Sequence, residues 1–393
     1  MINPFDLNLR HLRALDDVIA QRSLSRAADA AGLSQPALTQ GLGKIERQIG
    51  MLLFDRHPEG VTPTAAGIAL AQRARRAFEH LSAATRRGGR GGRGFARPDR
   101  LMTATQIEAF LHFADAQGFA GAALASGLSQ PAIHRAVREL EQICAIPLAE
   151  RRGRGMVLTP AGRALARGIR LAAGEIRAGI AEALGEDADG GRIAIGAMPL
   201  SRALLLPRAI AAFLAGRPNA VIDVVEGSWR ELVDPLLDGV IDMMVGALRK
   251  EAPAGVEQVP LFDEQLAIFA RKGHPLEGAA PDVAKLAAYG WVVGPQGTPL
   301  RANWESLFGD VPAPAVPVEC GSVMVIRGLL AQSDLLTLLS PDQVALEVEA
   351  GMLVQIGPEL PDTVRTIGVS MRSGWRPTTA QQRLLDLLHE AKA

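Results

Sequence analysis

Cysteine is almost absent: Cys144 and Cys320 are the only two in 393 residues, and they lie far apart. A Cys-rich zinc module and a CxxC redox pair are both excluded. No run of about 18 uncharged apolar residues occurs, which argues against a membrane span. The start, Met1 to Leu15, carries Asp6, Arg10, His11 and Arg13 where a secretory signal needs an apolar stretch. There is no His-Glu-x-x-His, no Gly-x-Ser-x-Gly, no Walker phosphate-binding motif and no Cys/His cluster. These absences lead us to expect a non-enzyme without metal or cofactor, soluble and cytoplasmic. Net charge is missing too, since 42 basic and 42 acidic side chains cancel.

That zero hides a gradient. Residues 1–190 hold 25 Lys+Arg against 19 Asp+Glu, and residues 191–393 hold 17 against 23. A basic module fused to an acidic one is the simplest reading. Lysine is scarce in the basic half, where Lys44 is the sole exception among arginines. Arginine suits planar, bidentate contact to phosphate or guanine, although a GC-rich genome produces the same bias. A hydrophobic fraction of 48% over this length supplies cores for two or three domains.

The first half is written twice. Gly32-Leu33-Ser34-Gln35-Pro36-Ala37 recurs 95 residues on as Gly127-Leu128-Ser129-Gln130-Pro131-Ala132. Carrying that shift without gaps from Ala14–Ala77 onto Ala109–Ala172 gives 22 identities in 64 positions. Each copy reads as three helices, a hairpin wing and a longer helix. In the first, Leu12, Leu15 and Ile19 follow helical spacing, and Ser25–Ala31 is a short Ala-rich helix closed by Gly32. Ser34 is the natural cap of the next helix, with Pro36 in its first turn. This is the layout of a helix-turn-helix.

In that geometry the second helix turns its first outward residues toward base edges. These are Gln35, Pro36, Thr39 and Gln40 in the first copy, and Gln130, Pro131, His134 and Arg135 in the second. Gln pairs bidentately with adenine and Arg with guanine, while Arg138, one turn on, suits phosphate. The wings offer Arg56 in the first copy and Arg151, Arg152 and Arg154 in the second for the phosphate backbone. Gly41 and Gly43 weaken the first recognition helix by about 1 kcal/mol each, which favours the second copy as the main reader. Thr64 and Thr159 cap long helices ending near Thr85 and Glu186.

Ser-Gln-Pro-Ala opening the recognition helix, Ile45-Glu46 and Leu140-Glu141 near its end, Leu53-Phe54-Asp55-Arg56 and Leu148-Ala149-Glu150-Arg151 before the wing, and Thr64-Ala65-Ala66-Gly67 and Thr159-Pro160-Ala161-Gly162 after it together resemble the LysR-type transcriptional regulators. Members of that family carry one such domain, so the duplication is a departure. Between the copies, Arg86–Gly94 is a Gly/Arg tether. Gly89-x-Gly91-x-x-Gly94 matches a dinucleotide fingerprint formally, but neither a strand before it nor a helix after it supports one. Some 15 such residues have an r.m.s. span of roughly 20–23 Å and stretch to about 50 Å, so both copies can reach successive major-groove faces about 34 Å apart on one duplex. Whether the tether touches DNA or only spaces the copies stays open.

The second half alternates strands and helices: Arg192–Gly196, Leu204–Leu214, Val221–Gly227, Trp229–Leu237 and Ile241–Gly246. The pattern restarts at Gln265–Ala270 and runs through Trp291–Val293 and Leu335–Leu339 to Thr366–Met371 and Thr379–His389. This implies a parallel α/β sheet with ligands at strand ends. Arg217-Pro218, Leu237–Asp242 and Arg271–Leu276 resemble the LysR effector domain, a two-lobed type 2 relative of periplasmic binding proteins. Gly294–Arg301 and Ala331–Leu335 resemble the galactose-binding-protein regulator branch.

The resulting organisation is multidomain. Winged helix-turn-helix domains at 1–63 and 103–158 are followed by long helices at 64–85 and 159–188, with a linker at 86–102. The effector domain spans 191–393, with lobe I at 191–264 and 373–393 and lobe II at 265–372. Ser201, Ser228, Thr298 and Ser322 fall after strands and offer hydroxyls and helix amides to a sugar or an organic or aromatic acid, and Arg301 offers a carboxylate partner. Ser228 and Thr298 can equally be plain helix caps. The resemblance implies promoter DNA, a small-molecule effector, RNA polymerase and further copies of the chain as partners. It also implies pairing of chains through the helix at Thr159–Glu186 as a homodimer or homotetramer. A DNA-architectural protein whose second half only oligomerises, and an enzyme fused to a DNA module, are the rival classes.

Overall fold

Asn8 starts α1 (Leu9–Gln21) by accepting the amides of Arg10 and His11, and the helix buries Leu9, Leu12, Leu15 and Val18. The computed structural model describes every residue except 1, 87–94, 117, 154, 186–191, 200, 202, 310–311 and 392–393. The tether at 87–94, the acidic hinge at 186–191 and Arg154 therefore lie outside the described residues. Helix α2 (Leu24–Ala31) stops at Gly32, whose φ of +62° is the left-handed conformation that glycine adopts without penalty. Ser34 then caps α3 (Gln35–Ile49), accepting the Ala37 amide at 3.3 Å. A hairpin of β1 (Phe54–His57) and β2 (Gly60–Pro63) leads into α4 (Ala65–Arg86).

The same order follows in α5 (Ala104–Ala116), α6 (Phe119–Ser126) and α7 (Gln130–Cys144), then β3 (Ala149–Arg152), β4 (Gly155–Leu158) and α8 (Pro160–Leu184). Ser129 caps α7 through the Ala132 amide at 3.3 Å. The glycines of α3 do not shorten it: α3 and α7 are both 15 residues long. Gly41 is buried, and a Cβ there would lie 2.4 Å from the His11 ring. The lost helix propensity makes room for an imidazole on α1, so it gives no reason to rank the copies.

The Thr-x-Ala-Gly sequence has a mechanical role. Thr64 Oγ1 donates to the Leu52 carbonyl at 2.8 Å and accepts the Gly67 amide at 3.0 Å. Thr159 does the same to Pro147 and Gly162 at 2.8 and 3.0 Å. Each threonine ties the wing's base to the first turn of the long helix. The glycine permits this approach, because a Cβ on Gly67 or Gly162 would meet the carbonyl oxygen of Leu53 or Leu148 at 2.1 or 2.0 Å.

Within the chain, α8, the helix expected to pair chains through Thr159–Glu186, packs against α4. The two helices run antiparallel, Gly179 beside Arg73 and Gly168 beside Ala84. Arg73 is 1% exposed and donates to Glu175 at 3.0 Å and through Nε to Glu182 at 3.0 Å. Arg76 reaches the other oxygen of Glu175 at 3.1 Å, and His80 stands 3.9 Å from it. Desolvation alone would push Glu175 upward, but hydrogen bonds from His80 and Arg73 and the charges of Arg73 and Arg76 bring it down to about 2. One continuous core joins both copies, from Leu12 and Leu38 to Phe110 and Ile133, with Leu70, Leu81, Leu165 and Ile176 from the long helices.

The chain divides into two compact units: residues 1–191 with 237–240 and 378–380, and residues 192–236, 241–377 and 381–393. The second contains β5 (Arg192–Ala197), α9 (Leu205–Gly216), β6 (Val221–Glu226), α10 (Trp229–Leu237), β7 (Met243–Ala247) and β8 (Val256–Arg271). It continues through α11 (Val283–Ala287), β9 (Trp291–Val293), α12 (Pro299–Leu307), β10 (Val318–Glu319), α13 (Val323–Leu330) and β11 (Leu336–Leu339). It closes with α14 (Ala345–Glu349), β12 (Leu353–Arg372) and α15 (Thr379–Glu390).

One sheet, ordered β10-β9-β11-β8-β12-β7-β5-β6, carries two parallel halves. Strands β5, β6 and β7 are parallel in one half and β9, β10 and β11 in the other. The long antiparallel pair β8 and β12 runs through both. In the β9–β11 half, Leu266, Ile268 and Trp291 pack on one face, and Ala267, Phe269 and Val292 on the other. Both faces are thus covered, as parallel strands require. Ile367–Met371 pair with β7, so these residues belong with the β5–β7 half rather than with lobe II. The sequence hid this crossing because β12 stays one strand from Leu353 to Arg372, shifting its register against β8 as it passes between halves.

Candidate functional sites

The candidate base-facing residues lie on α3 and α7. Gln35, Pro36 and Gln40 are exposed and Thr39 is half-buried on α3, while Gln130, Pro131, His134, Arg135 and Arg138 are exposed on α7. The His134 ring lies 5.1 Å from that of Phe119, which ties this side chain to α6. An open depression of about 800 Å³ runs beside α3 between Thr39, Gln40 and Lys44 and reaches Arg56 on the wing. Arg151 and Arg152 are exposed on β3, opposite Met156 and Gly155 of β4.

Sequence reasoning missed what the glutamates at the end of each recognition helix do. Glu46 Oε1 accepts the amides of Leu53 and Phe54 at 3.0 and 3.3 Å. Glu141 Oε1 accepts those of Leu148 and Ala149 at 2.9 and 3.2 Å. One carboxylate oxygen thus pins the wing to the recognition helix in each copy. The other oxygen faces an arginine of the candidate DNA surface: Arg56 at 3.8 Å from Glu46, and Arg138 at 3.2 Å from Glu141. The repeated glutamate after Ile45 and Leu140 was the available signal, read as a motif without its role.

In the second unit the five candidate effector residues fall into three situations. Ser201, 1% exposed, donates its hydroxyl to the Met198 and Val245 carbonyls at 3.0 Å each, holding the turn after β5 to β7. Ser228, Thr298 and Ser322 stand before α10, α12 and α13, after the ends of β6, β9 and β10. Ser228 bonds Glu231 at 2.8 Å through both amide and hydroxyl, Thr298 accepts the Arg301 amide at 3.3 Å, and Ser322 accepts that of Val325 at 3.5 Å. Arg301 is already engaged, at 2.8 Å from Glu305 and 3.5 Å from Glu319, with its guanidinium 4.9 Å from the Trp304 ring centroid. A ligand carboxylate would have to displace two glutamates there.

The crossing strands supply a cluster that sequence reasoning did not assemble. Glu264 on β8 accepts from Arg365 Nε on β12 at 2.6 Å and from Ser340 Oγ, just past β11, at 2.6 Å. Arg365 Nη2 is buried and unpartnered. Burial pulls the guanidinium pKa down, and the Glu264 charge and hydrogen bond only partly offset it. Glu264 and Arg365 each stand one residue before a strand legible in the sequence, at Gln265 and Thr366. That complementary pair was the available signal.

Residues 9–68 and 104–163 each match the family described as bacterial regulatory helix-turn-helix protein, lysR family, and residues 186–393 match the LysR substrate binding domain. The chain belongs to the LysR family. It is similar to the HTH-type transcriptional regulator GalR of Pseudomonas putida, 31% identical over 392 residues that cover 98% of this chain and 97% of that protein. The SDS degradation transcriptional activation protein of a Pseudomonas species is 31% identical over 300 residues, 73% of this chain and 96% of that one. A full-length OxyR from Pseudomonas aeruginosa, solved with one cysteine replaced by aspartate, shares the fold, with a TM-score of 0.56 at 22% identity over 74% of this chain and 94% of that chain. As a LysR-family member, this chain joins an N-terminal winged helix-turn-helix region to a C-terminal domain of the type 2 periplasmic-binding kind. Among the described residues, no helix is long and apolar enough to cross a membrane, and no group of three or more His, Cys, Asp or Glu could hold a metal.

Proposed function

We propose that this chain is a sequence-specific transcriptional regulator in which both helix-turn-helix copies contact promoter DNA and an organic anion bound between the sheet halves sets the output. The observation that carries the reading is the pair of capped, equally long helices α3 and α7, each with exposed polar residues in its first turns and a wing pinned behind it. In this reading Gln35, Pro36, Thr39, Gln40, Gln130, Pro131, His134 and Arg135 face bases. Arg56, Arg138, Arg151 and Arg152 face phosphate. Arg135→Ala is expected to weaken operator binding about tenfold or more, the value of one bidentate guanine contact. Titration of labelled operator checks it, and unchanged affinity would remove α7 from the interface.

The likeness to the galactose-binding-protein regulator branch suggests a sugar, whereas the unpaired Nη2 of Arg365 favours a carboxylate. The helix N-termini after β6, β9 and β10 supply further amides for an anion. Lobe I then comprises residues 192 to about 264 and about 366 to 393, and lobe II the chain between. Arg365→Lys keeps a cation beside Glu264 and removes the free donor. Calorimetry against a panel of small carboxylates is expected to show at least tenfold weaker binding of any hit. Equal affinity would move the site away from the crossing.

Effector binding favours one arrangement of chains and so alters DNA bending and polymerase recruitment. With α8 already covered by α4, chains associate through the second unit. There, edge strand β6 exposes Val221, Val224 and Val225.

A further inference from the structure

Resting on the reading that both copies bind DNA, we infer that one chain is a complete two-headed reader of an inverted repeat whose two halves differ in sequence. The repeat shift of 95 residues carries Arg73 onto Gly168 and Ala84 onto Gly179. The contacts Arg73–Gly179 and Ala84–Gly168 are therefore one contact seen twice, related by exchange of the copies. A second pair agrees within one residue. Asn3 donates to Glu108 at 2.7 Å, and Arg13, the counterpart of Glu108, donates to Asp99 at 2.9 Å. Contacts that survive exchange of the copies define a two-fold relation between them. Such an axis preserves direction along itself, so the outward faces of α3 and α7 look to the same side to the extent that they look along it. A duplex has local two-fold axes of its own, and paired readers meet half-sites in inverted order.

The helix pairing also selects unlike copies. In an α8–α8 pair of the same register, Glu175 would take the place of His80 and face a second Glu175. Gly168 would take the place of Arg73, leaving buried carboxylates without a cation. In an α4–α4 pair, His80 would replace Glu175 in front of Arg73 and Arg76. Ala84 would replace Gly179, where a Cβ lies 2.8 Å from that of Arg73. Both homotypic pairs bury like charges, and only the mixed pair neutralises them.

The two heads share Gln and Pro at the first outward positions. They differ at Thr39 against His134 and Gln40 against Arg135. Gln40 suits adenine and Arg135 guanine, so the half-sites diverge at the bases these residues meet.

Selection of binding sites from random duplexes by the full-length chain is expected to return an inverted repeat with unlike halves. Titration with a short duplex carrying one repeat is expected to saturate at one duplex per chain. The double variant His134→Thr, Arg135→Gln gives α7 the outward residues of α3, and should change one half and render the repeat symmetric. A symmetric repeat from the unaltered chain, or saturation at one duplex per two chains, overturns the inference while leaving DNA binding intact. Enrichment of no sequence at all overturns the DNA-binding reading and the inference with it.

Discussion

Replacing Arg73 with alanine is expected to destabilise the first unit by about 3–5 kcal/mol, the cost of leaving a buried ion pair half-removed. Glu175 and Glu182 both lose their main cation, and Glu175 is 8% exposed. Arg76 and His80 soften the loss only from the rim, being about a third exposed themselves. The four tryptophans and the single tyrosine all lie beyond residue 191. Urea unfolding followed by far-UV circular dichroism should therefore shift, while tryptophan fluorescence, which reports the second unit, stays in place. A dichroism shift below about 1 kcal/mol would show that the cluster is not what holds α4 to α8. Replacing Arg73, Glu175 and Glu182 together by methionine is expected to restore stability to within about 2 kcal/mol of the original, because a well-packed apolar patch needs no compensation. That triple variant should also allow α8 to pair with α8 of another chain, since the carboxylates that reject that pair are gone.

The second large effect concerns two glycines of α8 that a propensity scale treats alike. Gly162→Ala places a methyl 2.0 Å from the Leu148 carbonyl oxygen, a backbone atom held by the Thr159 amide. The wing or the helix must shift, costing of order 2 kcal/mol after the gain in helix propensity. At Gly174 a Cβ meets nothing within 4 Å, so Gly174→Ala should stabilise by up to about 1 kcal/mol. Opposite signs at the two sites, read from midpoints of unfolding, are the expected outcome. Two stabilising substitutions would show that the wing is not clamped to the helix.

The first half was legible in sequence because its signals are local. Ser34 and Ser129 cap within three residues, Gly32 and Gly127 end helices on the spot, and the repeat made each copy check the other. What it could not show was the partner of each long helix. The apolar stripe of α8 fits another chain's α8 as well as α4 on periodicity alone. Only the register that brings Arg73 to Glu175 decides between them. The effector half shows the same limit. Strand ends at Ser228, Thr298 and Ser322 were visible, and the structure adds that their hydrogen bonds already serve helix caps. Arg365 and Glu264 stand 101 residues apart and meet only because β8 and β12 pair across both halves of the sheet.

Pairing α4 with α8 inside one chain also removes a dependence on abundance. Readers held together between chains separate on dilution, following mass action. Here the partner is covalently attached, and its effective concentration is fixed by the tether rather than by the cell. The two helix-turn-helix copies therefore assemble as the chain folds, and a cell holding a handful of molecules has them paired as fully as one holding thousands.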